Sequence, residues 1–230
     1  MHPLPDVHLV RGRASNMFLC ADESGLALID AGIPGEQGRV LEMIERLGYQ
    51  PQDLTRILIT HADFDHVGSL AELQKASGAT VYAGAETAVF LRSGKGPEHM
   101  PALLQPLLNA VVKVKPVPKE VISIFADGDV LPVLGGLQAI ATPGHTLDHY
   151  SFYSPTRGIL FAGDALHTRN GRLQRTQKRI TADQEAANRS ALQLLELAPI
   201  LFACGHGDPM DNHQLQDITA LFDQLRKDTP

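Results

Sequence analysis

Thr60-His61-Ala62-Asp63-Phe64-Asp65-His66 carries four metal-ligand residue types within six positions, in the pattern H-x-D-x-D-H. It follows Arg56–Thr60 (RILIT), a short β-branched run that reads as a buried strand, and precedes Leu70–Ala76, which reads as a helix closed by Gly78. With ten His and sixteen Asp in 230 residues, chance supplies about 0.002 such patterns. On an extended segment His61, Asp63 and Asp65 lie two apart on one side, and His66 enters from the turn into the helix. A solvated loop ending in a helix cap would account for one aspartate but for neither flanking histidine.

Three further segments share one layout, a short apolar run ending in a Gly turn that carries one ligand-type residue. They are Ile140-Ala141-Thr142-Pro143-Gly144-His145, Ile159-Leu160-Phe161-Ala162-Gly163-Asp164 and Leu201-Phe202-Ala203-Cys204-Gly205-His206. Glycine before the ligand suits a tight turn in which backbone and metal approach closely. Each is weak alone, but in this order after H-x-D-x-D-H they reinforce one another.

Composition narrows the setting. At 43% apolar and 20% charged, with 20 Gly and 15 Pro, the chain reads as an ordinary globular protein, and residues 1–230 are expected to form a single domain. Ten histidines against two cysteines permit nitrogen and oxygen metal sites but no thiolate zinc structure. A net charge of −6 argues against nucleic acid as a partner. Cys20 and Cys204 need not pair, the N-terminus lacks the pattern of a secretory signal, and no stretch approaches about 18 consecutive apolar residues. A cytoplasmic protein with no membrane association is the expectation.

Strands are expected at Val7–Val10, Met17–Ala21, Leu26–Ile29, Arg56–Thr60 and Thr80–Ala83, then at Val130–Leu134, Leu137–Ala141, Tyr150–Tyr153, Gly158–Phe161 and Pro199–Ala203. Helices are expected over Gly35–Leu47, Leu70–Ala76, Thr181–Leu197 and His213–Leu225. Two strand-rich halves with flanking helices suggest two sheets packed face to face. Between them, Glu86–Lys119 is rich in Gly and Pro around the apolar segment Ala102–Val112, which reads either as a lid or as a surface helix with one buried face.

With these motifs in order, the sequence resembles the metallo-β-lactamase-fold superfamily of hydrolases, from Leu26–Gly32 (LALIDAG) to Cys204–Pro209 (CGHGDP). The resemblance implies an α+β fold, a four-layer αβ/βα sandwich with two packed sheets, helices outside and a two-metal site at one edge. It implies one divalent ion held by His61, Asp63 and His145, a second held by Asp65, His66 and His206, and Asp164 bridging the two. Asp65 is also the candidate catalytic carboxylate. The familiar pattern is H-x-H-x-D-H, and here its second histidine is Asp63. With a shared hydroxide and three ionised aspartates the centre becomes formally neutral, one unit less positive than with histidine at 63. Zinc is the first expectation, and the harder carboxylate makes manganese or iron more credible.

The chemistry implied is metal-assisted hydrolysis of a small-molecule ester, lactone or thioester. Alternatives within the fold are a diiron-type redox enzyme, which a carboxylate at position 63 resembles, and a phosphodiesterase or nuclease. Arg169, Arg172, Arg175, Lys178 and Arg179 form a basic run that reads either as an anion clamp at the cleft rim or, as charge runs usually do, as a solvated face. His149 reads as a support for the site or a plain strand-start residue, and His167 as a surface-loop residue near the cleft. His2, His8, His99 and His213 default to the surface. Cys204 reads as a small buried residue, Asp208 and Asp211 as turn or cap residues, and Ser69 with Glu72 as a capping pair.

Overall fold

The computed structural model describes residues 6–228 apart from 24, 100, 102, 104 and 214. Strands β1 (Val7–Arg11), β2 (Asn16–Asp22) and β3 (Gly25–Ile29) open the chain as an antiparallel meander. Helix α1 (Gln37–Arg46), whose buried Val40 and Ile44 stand one turn apart, leads to β4 (Leu54–Leu58), parallel to β3. After α2 (Phe64–Val67) and α3 (Leu70–Ser77) come β5 (Thr80–Gly84), α4 (Ala85–Ser93), α5 (Gln105–Val111) and β6 (Ile122–Phe125), which complete a six-stranded sheet in the order β1-β2-β3-β4-β5-β6. The second half contributes β7 (Val130–Leu131), β8 (Leu137–Ala141), β9 (Tyr150–Ser154) and β10 (Ile159–Gly163), a separate hairpin β11 (Leu166–Arg169) and β12 (Arg172–Arg175), helix α6 (Gln184–Glu196), β13 (Leu201–Cys204), β14 (Met210–Asp211) and helix α7 (Leu215–Asp228). Its six-stranded sheet runs β14-β13-β10-β9-β8-β7.

Strand periodicity builds the layers. On β2, Phe18 and Cys20 face the second sheet, while Met17 and Leu19 join Val40, Ile44, Leu70 and Leu73 beneath the first set of helices. On β10, Ile159 and Phe161 enter the same inter-sheet core, while Leu160 and Ala162 pack with Ala191, Leu194 and Leu225 beneath α6 and α7. Three apolar cores therefore separate four layers, the αβ/βα sandwich expected. Cys20 lies in the middle core and Cys204 in the third, and burial pushes both thiols above their ordinary pKa.

Several expectations need correction. The strand at Val130 stops at Leu131, because Leu134, Gly135 and Gly136 all adopt positive φ in a tight turn whose Leu134 N–H is held by Asp22. Within Glu86–Lys119, α4 buries Ala88 and Leu91 against the first sheet. Within Ala102–Val112, residues 102 and 104 lie outside those described. Leu103, Leu107 and Val111 are exposed, so the surface helix does not bury them as an apolar face. Ser69 occupies the N-cap of α3 without capping it. Its hydroxyl donates to the Ile33 carbonyl (2.6 Å) and accepts from the Glu36 N–H (2.8 Å), and Glu72 pairs instead with Lys115 (2.6 Å).

Candidate metal centre

The proposed ligands lie at or just beyond the carboxyl ends of strands from both sheets. H-x-D-x-D-H follows β4, His145 follows β8, Asp164 follows β10 and His206 follows β13. The sheets are joined at this edge by backbone bonds, Tyr150 N–H to the Thr60 carbonyl (2.8 Å) and Asn16 N–H to the Gly205 carbonyl (2.7 Å). The Gly turns make the approach close enough. A Cβ on Gly205 would stand 2.4 Å from Asp164 Oδ1, and one on Gly163 2.6 Å from His149 Nε2.

All seven expected residues come together. Asp63 Oδ2 lies 3.1 Å from His145 Nε2 and 3.6 Å from His61 Nε2. Asp65 Oδ2 lies 3.6 Å from His206 Nε2 and 4.0 Å from His66 Nε2. Asp164 faces both groups, with Oδ1 3.3 Å from His66 Nε2 and Oδ2 3.4 Å from His145 and 3.0 Å from His206. Ligands about 2.0–2.1 Å from a tetrahedral ion stand roughly 3.3 Å apart, so these spacings fit a shared cation. The Nε2 atoms of His61 and His66 and Oδ1 of Asp164 are buried without a hydrogen-bond partner, as donor atoms reserved for a metal would be.

The hydrogen bonds behind the rings select the tautomers. Asp30 holds Thr60 and His66: its carboxylate accepts from the Thr60 N–H (2.9 Å) and hydroxyl (2.8 Å), and from His66 Nδ1–H (2.8 Å). With the Thr60 proton committed to Asp30, its oxygen accepts from His61 Nδ1–H at 3.0 Å. His206 Nδ1–H donates to the Ala14 carbonyl (2.9 Å). In each of these three rings Nδ1 is engaged from behind and Nε2 is the nitrogen turned toward the carboxylates, the arrangement typical of metal-bound histidine. Asp148 accepts from the Ala62 N–H (3.1 Å) and the Thr87 hydroxyl (2.8 Å), fixing the motif loop.

Charge shifts follow. Burial alone would raise the Asp63 carboxyl, but the neighbouring His145, His61 and His99 outweigh it and hold its pKa well below the usual range. Asp164 is likewise held low against burial, by His206 and His66. His66 and His145 are raised against burial by their carboxylate neighbours, chiefly Asp164 for His66 and Asp63 for His145, and Asp164 also raises His206.

His149 supports the site. Its Nε2 accepts the Asp164 N–H (2.9 Å), its Nδ1–H donates to Thr142 Oγ1 (2.8 Å), and burial with the nearby His61 and His145 keeps it neutral, its pKa well below the ordinary value. His167 is on strand β11, half-buried opposite Gln174, not in a surface loop. The basic run does not line the centre: Arg172 pairs with Asp217 (3.7 Å) and Arg175 with Asp228 (2.8 Å), both on α7, while Lys178 and Arg179 are exposed. His8 is half-buried on β1, His213 is exposed and His2 lies outside the described residues. Asp208 pairs with Arg11, and Asp211 accepts the His213 N–H.

Two residues escaped sequence reasoning. Asp30 had a readable signal, since Leu28-Ile29-Asp30-Ala31-Gly32 repeats the apolar-run-and-turn layout, and Asp30 takes positive φ (60°), strained for a non-glycine residue. His99 had none. It was assigned to the surface, yet its side chain is 3% exposed and its Nε2 lies 3.1 Å from Asp63 Oδ2, because the segment after α4 folds back over the motif loop.

A four-layer αβ/βα sandwich with a histidine–aspartate cluster at one edge defines a metal-site protein of the β-lactamase-like class. The family model described as metallo-beta-lactamase superfamily matches residues 10–206, and the chain belongs to that superfamily. It is 29% identical over 241 residues to the probable metallo-hydrolase YflN of Bacillus subtilis, covering 95% of this chain and 90% of that one. It is 38% identical over 147 residues to the hydroxyacylglutathione hydrolase of Erwinia tasmaniensis, covering 63% of this chain but only 44% of that enzyme. In fold it is similar to the metallo-beta-lactamase family protein TTHA1429 of Thermus thermophilus, with a TM-score of 0.73 at 24% identity over 98% of this chain and 79% of that one.

Proposed function

We propose that this chain, as one domain, hydrolyses a small ester-type substrate, a lactone or thioester included. The observation that carries the reading is the convergence of four imidazoles and three carboxylates at one edge of the sandwich, with ligand-like spacings and Nδ1 held from behind in His61, His66 and His206. His61, Asp63 and His145 would hold one divalent cation and Asp65, His66 and His206 the other, with Asp164 between them. Zinc is the first choice, and three oxygen donors leave room for manganese or iron. When bound, such a pair lowers the pKa of a shared water from 15.7 toward about 7 and polarises a substrate carbonyl.

The chain's own groups do the rest. Asp65, with 14% of its side chain exposed, meets solvent more than Asp63 or Asp164, and its Oδ1, the oxygen not spaced as a ligand, would take the proton of the attacking water and return it to the leaving group. A cavity of about 350 Å³ beside Asp63, walled by Phe64, Gly96 and Gln105, holds a small substrate. An adjoining apolar cavity of about 340 Å³, lined by Val89, Phe90, Pro97 and Leu147, suits an acyl group. The hydroxyacylglutathione hydrolase relatives favour a thioester among these bonds.

The test joins metal analysis of the purified protein to a panel of thioester, lactone, β-lactam and phosphodiester substrates. Thioester or lactone turnover that chelation abolishes, and that Asp65→Asn lowers in kcat by about 10²-fold or more, is expected. Two irons with oxygen consumption and no hydrolysis would overturn it, as would phosphodiester cleavage alone.

A further inference from the structure

We infer that His99, on the segment between α4 and α5, is a third imidazole ligand to the cation held by His61 and His145, so that the ion ties this segment to the sandwich. The inference rests on the metal-centre reading above and adds a ligand from outside every motif in the chain.

Three observations converge. First, the His99 side chain is buried, with 3% of it exposed, yet neither ring nitrogen has a hydrogen-bond partner. A histidine buried for structure alone normally has at least one nitrogen bonded, so a ring with both nitrogens unbonded calls for another partner. Second, its Nε2 stands 3.1 Å from Asp63 Oδ2, lacking hydrogen-bond alignment but at the separation of two ligands on one ion. The same Oδ2 is 3.1 Å from His145 Nε2 and 3.6 Å from His61 Nε2, so three imidazoles surround one carboxylate oxygen. Donor atoms of Asp63, His99 and His145 all lie within 4.8 Å of one another, and the His99 and His145 rings are 4.9 Å apart.

Third, the segment is built to come this close. Gly94 ends α4 in the left-handed region (φ 68°), and a Cβ on Gly96 would meet the Ala62 carbonyl at 3.3 Å, so the loop lies directly on the motif that carries the ligands. Chemically, Asp63 supplies an anionic oxygen donor, and a neutral imidazole from His99 adds a nitrogen donor without changing the charge of the centre. His99 also borders both cavities described above, so holding it on the ion fixes the wall between them.

The experiment compares wild type, His99→Ala, His99→Cys and the neighbouring control Glu98→Gln by chelator competition and by the absorption spectrum of the cobalt-loaded protein. His99→Ala is expected to weaken one of two ions by about tenfold or more while leaving the other, with Glu98→Gln unchanged. His99→Cys loaded with cobalt is expected to show an intense near-ultraviolet sulfur-to-cobalt charge-transfer band absent from wild type, which reports ligation even if the alanine variant is misfolded. Unchanged affinity in folded His99→Ala, or no new band in His99→Cys, overturns the inference even if KM rises, since that pattern marks a substrate contact. A wild-type protein that binds no cation overturns both this inference and the function proposed above.

Discussion

At the scale of single residues, the centre depends on which ring nitrogen is free, and that choice is made by groups behind the ligands. Asp30 is the most consequential, because one carboxylate orients His66 directly and His61 through Thr60. Asn tolerates the positive φ at this position and preserves its shape, so Asp30→Asn tests charge and acceptor capacity with little backbone disturbance. It is expected to weaken cation binding by about 10–100-fold with the fold retained, measured by chelator competition beside circular dichroism; wild-type affinity would remove Asp30 from the site. The seven residues proposed as ligands were legible as a group because ligand-type residues stood at strand ends in recognisable turns. His99 was not, since nothing in a Gly- and Pro-rich stretch states which surface it folds onto.

At the scale of elements, β8, β10 and β13 each lead to a proposed ligand through a turn whose shape depends on a missing side chain. Gly205, between β13 and His206, lies where a Cβ would fall 2.4 Å from Asp164 Oδ1 and 2.7 Å from His66 Cε1. Gly205→Ala must displace Asp164 or His66. Cation affinity should fall by about tenfold or more while the far-ultraviolet spectrum stays native. Affinity equal to wild type would show that Asp164 can move without consequence. Strands with clear alternation, such as β2 and β8, were readable. Helix α4 was hidden inside a segment whose prolines and glycines masked a short regular stretch, and strand β6 lies just beyond that segment. The hairpin β11–β12 was hidden by its own arginines, of which Arg172 and Arg175 are answered by α7, an element far away in sequence.

At the scale of the molecule, the ligands come from both sheets, so a bound cation pair bridges the two halves. A cation at 1,000 times its Kd adds about 4 kcal/mol to stability. For a chain of this size each kcal/mol moves Tm by about 2–4 °C, which predicts a fall of about 8–16 °C per tightly held ion on removal with a chelator, read by differential scanning calorimetry. An unchanged Tm would mean that no ion bridges the sheets.

The order of apolar runs, glycine turns and ligand residues along the chain was enough to indicate two packed sheets, a metal edge and the seven residues that meet there, because strand period and turn chemistry are local properties. Which groups stand behind those residues, that Arg172 and Arg175 turn toward α7, and that His99 reaches Asp63 were decided only in three dimensions. Those contacts depend on where segments distant in sequence pack, and packing is set by the whole core at once.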